Sequence, residues 1–334
     1  MLFSRPIRFQ ATEPVGGIDH PTPVAPADAA QEQPPNSEAA TPAAPGRHNW
    51  LFIGLALLAV YVIWGSTYLA IRETLVGFPP FLGAGLRFLI AGSILYGFLR
   101  VRGAPNPNRR QWTGAAVVGG LLLVCGNGGV VFAEQSVASG VAALIVASVP
   151  LWAVLFARIW GRWPNGKEWI GLIVGFVGII FLNLGGGLSA TPIGAVTILL
   201  AAICWALGSV WSQHLTLPAG AMSSAAEMLV GGAALLGLGL VLNERFSGPP
   251  PPVAFWALAY LVVFGSLVGF SAYGYLLKRV RPALATSNAY ANPLVALLLG
   301  AAFAGEQITA IELLALVFIL TGVVLVALGR EKRR

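Results

Sequence analysis

The residues of this 334-residue chain that could do chemistry are few and stand far apart. Arg87 lies within an apolar run, where an arginine costs about 2.5 to 3.5 kcal/mol on insertion scales. It therefore needs an anionic counterpart. Glu134 and Glu73 would supply one as a structural ion pair, and an anionic solute would supply one as a ligand. Glu227 stands about five residues inside another apolar run, either as a proton-coupling carboxylate or as a group reaching the membrane edge.

Aromatic and hydroxyl residues form a second set. Tyr61, Trp64 and Tyr68 recur at i, i+3 and i+7, so they share one helix face beside Gly65-Ser66-Thr67, and in a later run Trp205, Ser209 and Ser212 share a face. Rings with one polar tip and small hydroxyls suit a pocket for an amphipathic solute. The same residues would also serve as interfacial anchors or as small contacts between helices; for Trp50, Trp112 and Trp169 the anchor reading is preferred. Asn127 falls within Gly126-Asn127-Gly128-Gly129, its counterpart region is Gly269-Phe270-Ser271 with Tyr273, and Asn288 and Asn292 share a helix face. Ser148 and Asn292 stand beside Pro150 and Pro293. Each proline falls near the middle of its run, lacks an N–H and frees the carbonyl four residues earlier, at Val146 or Ala289. They are candidate hinges or tolerated kinks.

Other chemistries find no support. Gly161 followed after four residues by Gly166-Lys167 resembles the start of a phosphate-binding loop, yet position 168 is Glu where Ser or Thr would hold magnesium, and no strand precedes it. His20, His48 and His214 form no ligand pair. Cys125 and Cys204 lie inside apolar runs without metal-type spacing. No catalytic constellation, metal site or cofactor is expected.

The elements that must position these residues follow from composition. Apolar residues make up 57% of the chain and charged ones 10%, a balance suited to solvation by lipid. The apolar runs approach the 20 or so residues that cross a hydrocarbon core. They predict ten transmembrane helices, at about 50–71, 80–100, 112–133, 137–159, 168–184, 192–211, 222–242, 253–277, 283–303 and 309–328, in an all-α membrane protein. Helix-disfavouring sequences separate them, among them Phe78-Pro79-Pro80, Trp163-Pro164-Asn165-Gly166 and Pro249 to Pro252. Residues 1–49, rich in Pro and Ala, read as a disordered cytosolic tail, and 329–334 as a basic cytosolic C-terminus. The net charge of +7 sits in short clusters between the runs, which argues against nucleic-acid binding. With alternate loops assigned to opposite sides, 17 Lys and Arg fall on the side of the termini and 2 on the other. Both termini are therefore expected in the cytoplasm of a cell whose inner membrane the chain spans.

Sliding the sequence by 143 positions brings Gly65-Ser66 onto Gly208-Ser209, Gly126 onto Gly269 and Pro150-Leu151 onto Pro293-Leu294. One further residue of shift brings Glu168 onto Glu312 and Gly178 onto Gly322. The reading is two five-helix repeats, 50–184 and 192–328. Five is odd, so the halves enter the membrane from opposite sides.

Ile63-Trp64-Gly65-Ser66-Thr67-Tyr68, Leu86-Arg87-Phe88, Pro150 and Gly305-Glu306 together resemble the EamA-type permeases of the drug/metabolite transporter superfamily, and the first of these strings resembles the YedA-like branch. The resemblance covers about residues 50–328. It implies ten helices in two inverted repeats around a central cavity, and export of amino acids, other metabolites or toxic compounds. The first repeat has Gly161-Arg162 where the family has Gly-Glu, so any role of that glutamate passes to Glu306 alone. The expected function is thus a secondary transporter in a lipid bilayer, acting on a small-molecule substrate by alternating access and not an enzyme. A homodimer is left open. A membrane scaffold or receptor, and an intramembrane enzyme on a lipid-linked substrate, are the competing classes; the latter would want clustered carboxylates or histidines, which are not found.

Overall fold

Short capping sequences decide where the helices start. The computed structural model describes residues 47–161, 163–184, 191–277, 288–305 and 307–329, all within one unit, Pro45–Arg334. In chain order its helices are α1 (Arg47–Leu75), α2 (Pro80–Val101), α3 (Arg109–Ala133), α4 (Ser139–Ala157), α5 (Gly166–Leu184), α6 (Pro192–Trp211), α7 (Ala221–Val241), α8 (Pro252–Tyr260 continuing through Leu261–Val268 and Gly269–Leu277), α9 (Asn288–Phe303) and α10 (Ala310–Gly329). No β-strand occurs among the described residues. The N-terminal tail up to residue 46, Arg162, the basic cluster at 278–281, the expected start of the ninth helix at 283, Glu306 and the basic residues from 330 onward lie outside them.

α2, α6 and α8 open on proline, whose missing N–H falls where a helix has no internal acceptor. α3, α5 and α10 open on reciprocal capping boxes, Asn108 with Gln111, Asn165 with Glu168 and Thr309 with Glu312, at 2.8 to 3.2 Å. The Asn108 box starts α3 three residues before the expected position. Glu168, the residue that spoils the phosphate-loop resemblance, and its match Glu312 both serve as caps. Pro79 leaves α2 without a side-chain cap of its own. Glu244, from the segment after α7, supplies it by accepting from the N–H of Phe81 at 3.1 Å and of Leu82 at 2.8 Å. Glu244→Ala should therefore lower stability by about 1 to 2 kcal/mol, read as a drop in Tm of the detergent-purified protein. Glu244→Gln should fall between.

Two helices depart from regularity in ways the sequence pattern did not foresee. α3 and α8 each contain a wide-turned π stretch, Gly120–Asn127 and Leu261–Val268. A third expectation needs correction: Pro150 does not sit in the middle of a helix. α4 breaks into Ser139–Val146 and Val149–Ala157, joined by a tight turn with Ser148 N–H on Ile145 O at 3.0 Å. Pro150 falls in the first turn of the second piece, where its missing N–H costs little. Pro293 does lie inside its helix.

Seven helices among the described residues, α1 to α4 and α6 to α8, are long and apolar enough to cross a membrane. Large apolar side chains face outward, such as Ile90, Ile94 and Phe98 on α2 and Ile170 and Ile173 on α5. Such a surface suits lipid and not water.

Inside, glycines let helices approach closely. α2 packs on α7 with Gly85 against Leu236, Gly232 against Leu89, Gly92 against Leu229 and Gly239 against Leu82. A Cβ at any of the four would stand 2.7 to 3.0 Å from a leucine atom. α5 packs on α10, with Gly178 against Phe318 and Ile319 and Gly322 against Gly171 and Gly175. α1 lies on α9 and α8, and α6 on α3 and α4. Phe88, Leu144, Ile145, Met228 and Leu235 are wholly buried in the core these helices share.

Candidate functional site

The face of α1 that carries the aromatic residues lies on the π stretch of α8 and the helix after it. Trp64 donates its indole N–H to Gly265 O at 3.1 Å. Wide turns loosen the regular backbone ladder, and here a carbonyl of the wide-turned stretch takes a side-chain donor. The Trp64 ring fits against Gly269, where a Cβ would meet its nitrogen at 2.3 Å. It lies edge-on to Phe270 at 5.6 Å and tilted to Tyr273 at 5.2 Å between centroids. About one turn closer to the α1–α2 connection, Tyr68 is buried. Ser66 Oγ lies 2.6 Å from Tyr260 OH, joining α1 to α8.

Arg87 of α2 reaches the same stretch of α8. It is 4% exposed and donates from Nε to the buried Ser266 Oγ at 3.1 Å. A side chain at Gly265 would press on its Nη2. Glu134, 6% exposed, lies within electrostatic reach of both Arg87 and Tyr68. Tyr260, Gly265 and Ser266 were missed by the sequence reading. The available signal was Ser266, a hydroxyl in the apolar run Leu261–Val268 and part of a Gly-Ser pair like Gly65-Ser66 and Gly208-Ser209.

Trp205 of α6 lies over Gly126 in the π stretch of α3, where a Cβ would stand 2.9 Å from its ring. Asn127 follows directly, at the end of that stretch. Asn292 of α9 brings its main-chain oxygen close to Gly65 of α1. Arg87 Nη1, Asn127 Oδ1 and Asn292 Oδ1 are each buried without a hydrogen-bond partner among the described residues. A buried polar group left in that condition costs about 1 to 3 kcal/mol, which a polar ligand or water would recover.

Several candidates are engaged elsewhere. Ser148 donates to Ile145 O at 2.6 Å and accepts from Trp152 Nε1 at 3.2 Å, while Trp152 packs edge-on to Phe176 of α5. Ser209 donates to Trp205 O of its own helix at 2.7 Å. Such back-bonding satisfies a hydroxyl locally. Glu227 accepts from Ser223 at 2.6 Å, and its main chain packs on Gly119 of α3. Asn288 opens α9 and is half-buried. No group of three or more His, Cys, Asp or Glu able to hold a metal occurs among the described residues.

Among the described residues the chain is built of helices that face lipid, with polar side chains of α1, α2 and α8 turned onto one another, as a membrane transporter is built. The sequence belongs to the EamA-like transporter family, which matches residues 51–184 and 192–328. Over 276 residues it is 48% identical to the inner membrane transporter YedA of Escherichia coli (strain K12), covering 82% of this chain and 90% of that protein. It is 23% identical to a probable amino-acid metabolite efflux pump of the same organism, over 84% of this chain and 96% of the pump. One solved crystal structure shares the fold with a TM-score of 0.59 at 22% sequence identity, spanning 84% of this chain and 99% of the other.

Proposed function

We propose that the protein is a secondary transporter that exports a small amphipathic metabolite from the cytoplasm by alternating access. In this reading all ten helices cross the inner membrane, both termini are cytoplasmic, and α1–α5 and α6–α10 are inverted repeats. The observation that carries the reading is reciprocal packing. Gly85 rests on Leu236 as Gly232 rests on Leu89, Gly92 on Leu229 as Gly239 on Leu82, and Trp64 on Gly269 as Trp205 on Gly126. Reciprocal contacts are what a two-fold relation between two similar halves produces, and two such halves can exchange an inward-facing and an outward-facing state of similar energy. The π stretches of α3 and α8 support it further, since they occupy corresponding helices.

Trp64, Ser66, Tyr68, Asn127, Tyr273, Asn288, Asn292 and Trp205 line the solute's route in this proposal, with Ser148 and Ser209 bracing their helices. The break at Pro150 and Pro293 act as hinges, and Glu227 is the carboxylate placed for proton coupling. Export is supported by the efflux assigned to the relative in Escherichia coli.

The test is untargeted profiling of the medium around cells producing wild-type protein or Ser66→Trp at equal membrane levels. An indole at position 66 has no room beside Tyr260 and should wedge α1 from α8. A chemical class that accumulates outside at least tenfold more with wild type is the expected result. Cysteines placed at Ser66 and Ser209 should also change their accessibility from the two sides when that solute is added. Protection that never changes would refute alternating access.

A further inference from the structure

Resting on the transporter reading above, we propose that Arg87 is an anion-recognition residue on the solute's route, taking a single carboxylate at the foot of a crevice between α1 and α2. The crevice is lined from the α1–α2 turn at Phe78 and Pro80, past Gly83, to Arg87, and Val131 of α3 and Leu261 of α8 also line it. Pro80 to Arg87 is seven residues, about 10 Å of helix rise, so the lining extends from the helix end well into the protein. Apart from Arg87 its walls are almost wholly apolar: the one other polar side chain lining it, Thr74, donates to Ala70 O of its own helix at 2.7 Å. An apolar cleft that ends on one charged group is how a binding site fixes the orientation of an amphipathic ligand.

The donor inventory of Arg87 points the same way. Its Nε is committed to Ser266, whereas Nη1 is buried with no partner. A guanidinium presents its donors in a planar fork matched to a carboxylate. The crevice encloses about 10 Å³, room for about one water, so a carboxylate needs α1 and α2 to part. α1 and α2 touch each other little: α2 is bound to α7 by four glycine contacts and the Glu244 cap, and α1 rests on α9 and α8. The Arg87–Ser266 hydrogen bond joins α2 to α8 beside the crevice. Glu134 stands within electrostatic reach of Arg87, so the local charge is already partly offset. That selects a group of one negative charge over a phosphate dianion.

The experiment compares wild type, Arg87→Lys and Arg87→Gln at matched membrane levels in the same export profile. Solutes exported by wild type should carry a carboxylate. Arg87→Gln should lower their export at least tenfold, and Arg87→Lys should restore part of it. Wild-type solutes without a carboxylate, or export that Arg87→Gln leaves within twofold of wild type, would overturn the assignment and leave transport standing. No solute in excess with wild type would sink both. Should Arg87→Gln fail to reach the membrane, purified wild type is heated with 3-phenylpropionate or its amide as probes. A rise in Tm with the carboxylate alone supports the site, and equal or absent shifts overturn it.

Discussion

Gly322→Val should leave little folded protein. At this position α10 touches α5 backbone to backbone: a Cβ would stand 2.5 Å from Gly175 N and 2.6 Å from Gly171 O. Side chains can rotate away from an added methyl group, but main-chain atoms of a helix cannot, so the helices must separate along their length. Overpacking of a core costs about 1 to 3 kcal/mol and occasionally more. A branched residue against two rigid neighbours belongs at the upper end, about 3 kcal/mol. The gain from replacing glycine by valine inside a helix, under about 1 kcal/mol because valine is itself a weaker helix former than alanine, does not offset it. The measurement is the monodisperse yield and Tm in detergent, with Gly54→Val as control, because nothing lies within 4 Å of a Cβ there. A Gly322→Val protein that melts within about 2 °C of wild type would show that α5 and α10 are not this close.

The second large effect is expected at Trp64, where one side chain ties α1 to α8 by a hydrogen bond to Gly265 O, by ring contacts with Phe270 and Tyr273, and by its fit over Gly269. Trp64→Ala removes all of these. Aromatic-to-alanine changes in cores cost about 3 to 5 kcal/mol, and this half-buried site should fall near the lower figure. Trp64→Phe keeps most of the ring contact and loses the hydrogen bond, for about 1 kcal/mol. Under the proposed function, Trp64→Ala should lower export at least tenfold in protein that still inserts, with Trp64→Phe intermediate. Equal export by all three, at equal membrane levels, would place Trp64 outside the route and leave it a packing residue.

Much of the helical framework was legible because it depends on local facts. Runs of apolar residues bounded by Pro79-Pro80, Asn165-Gly166 or Pro249 to Pro252 set helix limits within a few residues, since proline and capping side chains act on the nearest turn. The broken α4 was not legible: Pro150 marks the place, but whether a proline bends a helix or begins a new one depends on the turn before it. The π stretches were equally hidden. They carry no composition of their own, and in α8 the stretch coincides with contacts from Trp64 and Arg87, more than 170 residues away in sequence.

The repeat shows the same division. Sliding by 143, and by 144 for α5 and α10, matched a few residues; the contacts agree on 144 between α5 and α10, from Gly178 to Gly322, but relate α2 to α7 by 147 positions, from Gly85 to Gly232 and from Leu89 to Leu236. Connections of unequal length shift the register from helix to helix, so no single offset can find every pair. By itself the sequence determined that the chain is helical, that lipid surrounds it, and which family it belongs to, because these depend on composition, short-range periodicity and motif strings. Only the tertiary structure decided that Arg87 meets Ser266, that Ser66 meets Tyr260, and that Ser148 and Ser209 turn back on their own helices. Those choices depend on how each helix is rotated and where it crosses its neighbours, which the local pattern of apolar residues does not encode.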